Sequence, residues 1–315
     1  MKRSILSFIL LFITISFFAQ DPHFSQYQST RGELNPAVTG IDSTLAISTS
    51  YRLQWPNISG SYSTFHFSAD KYFRFLRGGL GINFLNDKEG NGAITTTRIE
   101  LIYAPHFELF KHKIVFQPAF GMAYFQKTLD WSKLNFGDMI DERRGFVYQT
   151  QEVPGTSKKQ NIDLSAGLFI YSSKYYGGIA VHHINQPDEG FIGPSRLPLK
   201  ITLHTGANLS FRKDEKKYFI LSPNLLFIKQ QDFQEYMPGI KVKYKWAVLG
   251  INYRNEDAFI VNTGVQFRLF KLEYSYDYTV SKLTNKATGG SHEIQMTWFL
   301  KSHKKFFAGK TIRMI

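Results

Sequence analysis

The adjacent His182 and His183 are the first side chains in the sequence that could bind a metal ion, since imidazole is a common ligand of zinc. Neighbouring residues of a regular strand point to opposite faces, so this pair could not chelate one ion there. In the turn 86–91, Asp87 and Glu89 could suggest calcium, but its asparagines and glycine are typical of a hairpin loop. We therefore predict no metal site and interpret the histidines as girdle or rim residues.

Ser291 and His292 are the second candidate pair, because a histidine can activate a serine for lipid hydrolysis. These two residues are again neighbours on opposite faces of a strand, and the chain has no G-x-S-x-G turn. The glycine-rich run 78–81 precedes no helical pattern and predicts no phosphate-binding loop. A nucleic-acid-binding module is also lacking, so we predict no nucleic-acid partner. Because none of these motifs is complete, we further predict that the protein is not an enzyme and has no cofactor.

Alternation of apolar and polar residues with a period of two is the dominant pattern of the chain. Between Lys271 and Tyr278, for example, one face is aromatic and apolar while the other is polar and ionic. The alternating segments run for about ten to thirteen residues, whereas soluble strands usually have about five or six. About ten tilted residues can cross a bilayer, and a closed barrel pairs every backbone group there. The pattern predicts an all-β fold, a transmembrane antiparallel β-barrel.

We predict about 14 strands, with long extracellular loops and short periplasmic turns. Their expected bounds are 43–53, 60–71, 78–87, 93–106, 111–127, 161–172, 174–184, 199–212, 216–228, 236–245, 246–254, 258–268, 269–280 and 290–301. The corresponding outer loops are 53–60, 86–92, 128–160, 185–198 and 281–289.

Charged residues on the polar faces of these strands would point into the lumen. Because both signs occur, we expect paired networks that plug the barrel; a hydrated pore with unpaired walls is the alternative. The expected lumenal residues are Arg52, Arg98, Glu100, Asp163, Lys200, Arg254, Arg268, Glu273, Asp277 and Glu293.

The N-terminus has the composition of a secretory signal peptide, with Lys2 and Arg3 before the apolar run 5–18 and the small residue Ala19 at its end. An uncleaved membrane anchor is the alternative. The chain has no cysteine, which excludes a lipid-anchored cysteine and disulfides. We divide the chain into a signal peptide (1–19), a periplasmic N-terminal segment (20–42), an outer-membrane β-barrel (43–301) and a basic C-terminal tail (302–315).

The net charge of +13 is spread along the chain, and much of it falls on turns predicted to face the periplasm. Solvated turns near anionic lipid headgroups would explain this distribution, and a docking surface for an acidic periplasmic partner is the alternative. The residues concerned are Lys71, Arg74, Arg77, Lys111, Lys113, Lys213, Lys216, Lys217 and the tail from Lys301 to Arg313.

Five segments, in order along the chain, resemble the PorP/SprF family, outer-membrane proteins of the type IX secretion and gliding machinery of Bacteroidetes. The long 128–160 segment and the tail after Leu300 have no counterpart in this resemblance. The five are Asp21–Tyr27 with Leu34–Gly40, Tyr51–Trp55, Gly79–Asn83 with Asn86–Gly90, Tyr274–Tyr278 with Ser281–Leu283, and Gly290–Ile294.

The resemblance implies a non-enzymatic protein that supports export or surface attachment of a secreted cargo protein with a C-terminal sorting domain. It also implies contacts with periplasmic or lipoprotein components of the machinery and with outer-membrane lipid. A passive channel, or a FadL-like uptake barrel for hydrophobic solutes, is the alternative function.

Candidate partner-binding residues lie in the predicted loops and turns. On the outer side they are Trp55, Asn57, Asp87, Glu89, Trp131, Asp138, Arg143 and Arg144. On a periplasmic turn they are Lys213, Lys216 and Lys217.

Overall fold

The computed structural model describes residues 21–42, 44–110, 113–141, 143–151, 155–214 and 217–300. The predicted signal peptide and basic tail lie outside these residues. The strands are β1 (Leu45–Gln54), β2 (Tyr62–Phe73), β3 (Gly78–Glu89), β4 (Ile94–Pro105), β5 (Phe107–Leu109), β6 (Ile114–Leu129), β7 (Ile140–Asp141), β8 (Gly145–Phe146), β9 (Lys158–Tyr171), β10 (Tyr175–His182), β11 (Lys200–Ala207), β12 (Leu209–Asp214), β13 (Lys217–Gln230), β14 (Phe233–Tyr244), β15 (Ala247–Arg254), β16 (Ala258–Gln266), β17 (Phe270–Thr279) and β18 (Ser291–Leu300). Short helices are α1 (Arg31–Leu34), α2 (Asn285–Thr288) and the 3₁₀ turns Pro36–Val38, Arg74–Leu76, Trp131–Lys133 and Gly137–Met139.

The strands close into one antiparallel barrel. The first pairs with the last, with Leu45 opposite Leu300 and Gln54 opposite Ser291, and β11 pairs with β13 to complete the ring. Single residues separate β4 from β5 and β11 from β12, so each of these pairs is one barrel strand, while β7 and β8 form a separate hairpin. The barrel therefore has 14 strands, as predicted, and closure leaves no open sheet edge in the membrane.

The two faces of the wall differ as the alternation predicts. On β17 the outward Tyr274 and Tyr278 are exposed, whereas the intervening Ser275 and Asp277 are buried inside. Every predicted lumenal charge is buried except Arg268, which is exposed because it lies in the turn between β16 and β17. Within the described ranges, no helix has the length and apolar character needed to cross a membrane.

Residues 21–42 fill the lumen, and we call them the plug. They bond to strands all around the ring: Gly40 N–H donates to Asp70 on β2, and Tyr27 O–H donates to Asn224 on β13. The plug begins level with the outer ends of β10 and β13 and descends to the start of β1. This position differs from the predicted periplasmic segment, because the polar groups of the plug complement those of the inner wall.

The inner half of the plug is held by apolar packing and close backbone contact. Ala37, Val38 and Ile41 join a buried cluster with wall residues that include Phe169. The turn before them is set by Asn35, whose side chain accepts the Ala37 N–H at 2.8 Å and donates to two wall carbonyls.

Gly40 of the plug and Gly79 of β3 meet backbone to backbone. Gly40 has a left-handed φ of +73°, and a Cβ on Gly79 would lie only 2.3 Å from the carbonyl oxygen of Thr39. Neither position has room for a side chain, so these glycines determine how closely the plug approaches the wall.

We expect Gly79→Ala to destabilise the folded barrel by about 1–3 kcal/mol, because the added methyl must displace plug backbone. The measurement is the temperature at which the folded, fast-migrating form is lost on a semi-native gel. Gly177→Ala on β10 is the matched control, since a Cβ there would have its nearest neighbour at 3.6 Å. Equal melting of both variants would contradict the close contact.

Candidate functional site

The loops at the two ends of the barrel differ in length, as predicted for an outer-membrane barrel. The long connections, 130–157 and 183–199, lie at one end, which is therefore the extracellular side. At the periplasmic end, 172–174, 245–246 and 267–269 are short turns. The extracellular end is the candidate functional surface, since binding groups concentrate on loops held by a rigid scaffold.

Two carboxylates bond to the described parts of the loop 130–157. Asp141 accepts the backbone N–H groups of Arg143 at 2.9 Å and Arg144 at 2.8 Å, and these bonds lower its pKa. Asp138 accepts the N–H of Gln151 at 2.6 Å and the hydroxyl of Thr150 at 2.9 Å. Asp138, which was predicted to bind a partner, thus bonds to residues of its own loop. Arg143 and Arg144, which were also predicted to bind a partner, are exposed.

The same loop displays apolar side chains to the exterior. Phe146, Val147 and Tyr148 are each 50–59% exposed and lie on or next to the hairpin of β7 and β8. Trp131 stacks on Phe136 with centroids 6.4 Å apart, which stiffens the base of the loop. An exposed apolar patch on an ordered loop is typical of a protein-binding surface.

The loop 183–199 folds inward over the lumen. Glu189 is buried and accepts from Lys127 Nζ on β6 at 2.9 Å. Asp188 accepts the backbone N–H groups of Ser195 at 2.7 Å and Gly190 at 3.2 Å, and these bonds lower its pKa. Because the loop 183–199 bonds both to the wall and within itself, it covers part of the extracellular end of the barrel.

His183 locks the start of the plug to the wall. Its Nε2–H donates to Asp21 of the plug at 2.7 Å and its Nδ1–H to Asp163 of β9 at 2.8 Å. Lys200 Nζ is 3.2 Å from the same Asp21 carboxylate. Burial alone would lower the pKa of His183, but Asp21 and Asp163 outweigh it and raise the pKa to about 9. We call this group the His183 latch.

The two histidines predicted at a girdle or rim are both inside the barrel. His182 and His183 are 1% and 2% exposed, because β10 ends at His182 and His183 has a φ of +58° that breaks the alternation. Across the described parts of the chain, no group of three or more metal-binding side chains is found.

A second buried network holds the plug below the latch. Glu293 of β18 accepts the backbone N–H groups of Ser25 at 2.7 Å and Gln26 at 3.2 Å. Arg52 and Arg254 both contact Asp277, at 3.0 Å and 3.1 Å. The paired lumenal network predicted from the alternating charges is therefore present. Backbone groups of the plug take part in it together with the acidic and basic residues of the wall.

A cavity of about 400 Å³ lies at the extracellular end, and we call it the outer vestibule. The turns 231–232 and 255–257, the end of β1 and His23 of the plug surround it. Among its lining residues are Gln54, Trp55, Asp232, Glu235, Arg254 and Asp257.

The lining of the vestibule includes one residue that was predicted to bind a partner. It also includes several residues that were not predicted from the sequence. Trp55 has a φ of +56° and packs edge to face on Tyr62 at 5.8 Å, and the neighbouring Asn57 is exposed outside the vestibule. Asp232, Glu235 and Asp257 were not predicted, because two separate hairpins, β13–β14 and β15–β16, bring them together. The positive φ of Gln231 and Glu256 marks those turns, but polar turn residues alone did not distinguish this place.

Several other predicted residues lie elsewhere. Asp87 is 4% exposed and accepts the Thr64 hydroxyl at 2.6 Å, because β3 continues to Glu89 and its alternation turns Asp87 inward. Asp87 therefore does not lie on the outer surface, and Glu89 is half-buried beside it. Lys213 and Lys217 lie at the turn-proximal ends of β12 and β13, and Lys216 falls outside the described residues.

The His183 latch should make plug docking pH-dependent. The folded pKa of about 9 lies above the ordinary value of about 6.5, so the latch stabilises the docked plug fully below about pH 6.5 and weakens as the pH rises through about 9. Hydrogen exchange of plug peptides, corrected for intrinsic rates, should show protection falling over that interval. In His183→Gln the fall should be absent and protection lower at neutral pH, whereas His292→Gln, on the outer wall, should behave like the wild type.

Comparisons with known proteins identify one matching family and several similar solved structures. The family described as "Type IX secretion system membrane protein PorP/SprF" matches residues 16–298. No curated protein matches the chain. Similar solved structures include the CymD monoaromatic hydrocarbon channel, with 13% identity, a TM-score of 0.45, and 91% and 96% of the two chains covered. The KdgM porin has 10% identity, a TM-score of 0.37, and 81% and 99% covered.

The beta domain of the Bordetella autotransporter BrkA is also similar, with 10% identity, a TM-score of 0.34, and 82% and 99% of the two chains covered. Since identity with these structures is low, they say nothing about the ligands of this chain. The family match covers most of the chain, including the plug and all of the barrel except the last two residues of β18. The chain belongs to the PorP/SprF family of type IX secretion system membrane proteins and is an outer-membrane β-barrel.

Proposed function

We propose that this barrel is an accessory protein of type IX secretion that supports export or surface attachment of one cargo protein with a C-terminal sorting domain. The observation that carries the proposal is the plugged lumen. Wall strands all around the ring bond to the plug, so the two ends of the barrel remain as places where partners can bind, and we assign the cargo to the extracellular end. That surface combines an ordered loop, an exposed apolar patch and a charged cavity.

The apolar patch of the 130–157 loop is the proposed main contact with cargo. Phe146, Val147 and Tyr148 are exposed together, and Asp141 fixes the hairpin that presents them by accepting the Tyr148 hydroxyl at 3.0 Å. A preordered loop loses little conformational entropy when a partner binds. Of the candidate residues, Trp131, Arg143 and Arg144 belong to this loop and would flank the contact.

The periplasmic rim is the proposed contact with the secretion machinery. Lys71, Arg74, Arg77 and Lys113 are exposed at that end of the barrel. Several cations at one rim favour an acidic partner by steering its approach, and the effect weakens as salt is added. Lys213, Lys216 and Lys217, which the sequence assigns to another periplasmic turn, belong to the same proposal.

The alternative of a passive channel requires a continuous path through the lumen. We expect the purified protein in planar bilayers to show no steady ohmic conductance, because the plug and the loop 183–199 occupy that path. An open porin in the same bilayers is the positive control. A stable conductance of porin size at neutral pH would favour the channel.

For the cargo function, we expect Phe146→Ser combined with Tyr148→Ser to reduce cargo at the cell surface several-fold, since clustered aromatic contacts carry most interface energy. Quantitative mass spectrometry of surface-labelled cells measures the cargo, and immunoblotting of outer membranes checks that the barrel level is unchanged. Phe110→Ser, which changes a still more exposed aromatic at the periplasmic end, is the control. Normal surface display in the double variant, or equal loss in the control, would argue against the patch.

A further inference from the structure

The outer vestibule carries more negative than positive charge. Four carboxylates line it, from Asp232, Glu235, Glu256 and Asp257, together with one guanidinium, that of Arg254. The remaining titratable group of the lining is His23 of the plug, whose pKa is lowered well below its ordinary range by burial and by Arg254 and Arg52. The imidazole therefore adds no positive charge at neutral pH.

The single guanidinium of the lining is already shared. Arg254 Nη1 lies 3.0 Å from Asp257 and 3.1 Å from Asp277, and Nη2 donates to Ser25 Oγ at 3.1 Å. Its Nε is 3.5 Å from Glu235 Oε2, too far and too poorly oriented to form a hydrogen bond. Arg254 is thus shared between Asp277 in the lumen and Asp257 and Glu235 of the vestibule, and one guanidinium cannot balance the four vestibule carboxylates.

Glu235 is the group that indicates a ligand. The residue is 2% exposed and lines the cavity, and neither of its carboxylate oxygens has a hydrogen-bond partner in the described structure. A buried carboxylate without hydrogen bonds is costly, and such groups in native proteins call for an explanation. A cationic donor entering the vestibule would supply the missing bonds.

Aromatic rings narrow the identity of the donor. Trp55 and Phe233 line the same cavity, and both are partly exposed. An aromatic surface beside a carboxylate fits a guanidinium or an ammonium on an aliphatic stem, because the stem packs on the rings while the charged head reaches the acid. The vestibule volume of about 400 Å³ lies within the range of ligand pockets, about 300–1,000 Å³.

We propose that the outer vestibule binds one arginine or lysine side chain of the secreted partner, with Glu235 as its carboxylate acceptor and Trp55 and Phe233 as its apolar walls. The inference rests on the proposed function, because the side chain belongs to the cargo. A metal ion is a poorer occupant, since Arg254 lies beside the acids and the described residues contain no cluster with metal-binding geometry.

Peptide binding to the purified full-length barrel tests the pocket without any cargo. The probes are acetyl-Gly-Arg-Gly-amide and its citrulline counterpart, which has nearly the same shape but no charge, with binding followed by saturation-transfer NMR. We expect the arginine peptide to bind at least about tenfold more tightly, and its affinity to fall with added salt. Equal binding of the two peptides would overturn the proposal.

Two substitutions locate the binding to the vestibule. Glu235→Gln should weaken the arginine peptide about tenfold, since it removes the charge and keeps the shape. Glu256→Gln, on the exposed rim, should weaken binding of the arginine peptide about two- to threefold. This substitution does not alter the buried network, so the variant still tests the site if Glu235→Gln fails to fold. Glu108→Gln, at an exposed position at the periplasmic end of the barrel, is the matched control and should bind like the wild type. Unchanged affinity in both glutamate variants would refute the site.

Failure of the vestibule proposal and failure of the proposed cargo function would give different results. If Glu235→Gln loses peptide binding and surface cargo together, the pocket and its role in cargo binding are both supported. If the peptide does not bind while Phe146→Ser with Tyr148→Ser still loses cargo, the pocket is wrong and the proposed function stands. If the peptide binds but cargo is normal in every variant, the cargo role is wrong.

Discussion

Charges inside the barrel must be paired, and this constraint determines how the rest of the structure is arranged. The inner wall contributes acids and bases from many strands, such as Arg52, Glu293 and Asp277. A dry lumen would leave part of their bonding capacity unused, which is expensive at low dielectric. The plug supplies additional backbone N–H groups and hydroxyls to these charges, so wall and plug stabilise each other.

The plug has two differently bound halves. Its outer half is held by charge and hydrogen bonds, at His183 and at Glu293, whereas its inner half packs Val38 and Ile41 into an apolar cluster. Ionic contacts respond to pH and to incoming charges, but apolar contacts and the Gly40 to Gly79 approach do not. The outer half is therefore the part that a ligand at the extracellular surface could influence, while the inner half keeps the lumen filled.

The wall could be predicted from the sequence because each strand carries its own signal. Alternation in β17 identifies which residues face lipid and which face the lumen without knowledge of any neighbour. Errors occurred where the strand ended: Arg268 lies in a turn, and His183 follows the last residue of β10. One residue beyond a strand, the chain direction changes and the period of two no longer applies.

The plug and the vestibule could not be predicted in the same way, since neither has a period. The polar residues between Asp21 and Asp42 form hydrogen bonds with wall groups that are distant in sequence. Tyr27, for example, bonds to Asn224. The vestibule likewise needs two turns and the end of β1 at their final distances before Glu235 and Trp55 share one cavity.

Plugging and recognition follow from the same arrangement of charges. Arg254 pairs with Asp277 in the lumen and stands next to Glu235 in the vestibule, so it connects the buried network with the extracellular cavity. Its positive charge is divided among Asp277, Asp257 and Glu235, and Glu235, at 3.5 Å, is the farthest of the three from the guanidinium. A barrel that pairs its charges inward in this way leaves an excess of negative charge at its mouth. That excess directs the choice of partner toward a basic group, while the apolar patch on the 130–157 loop provides the area that a stable protein contact needs.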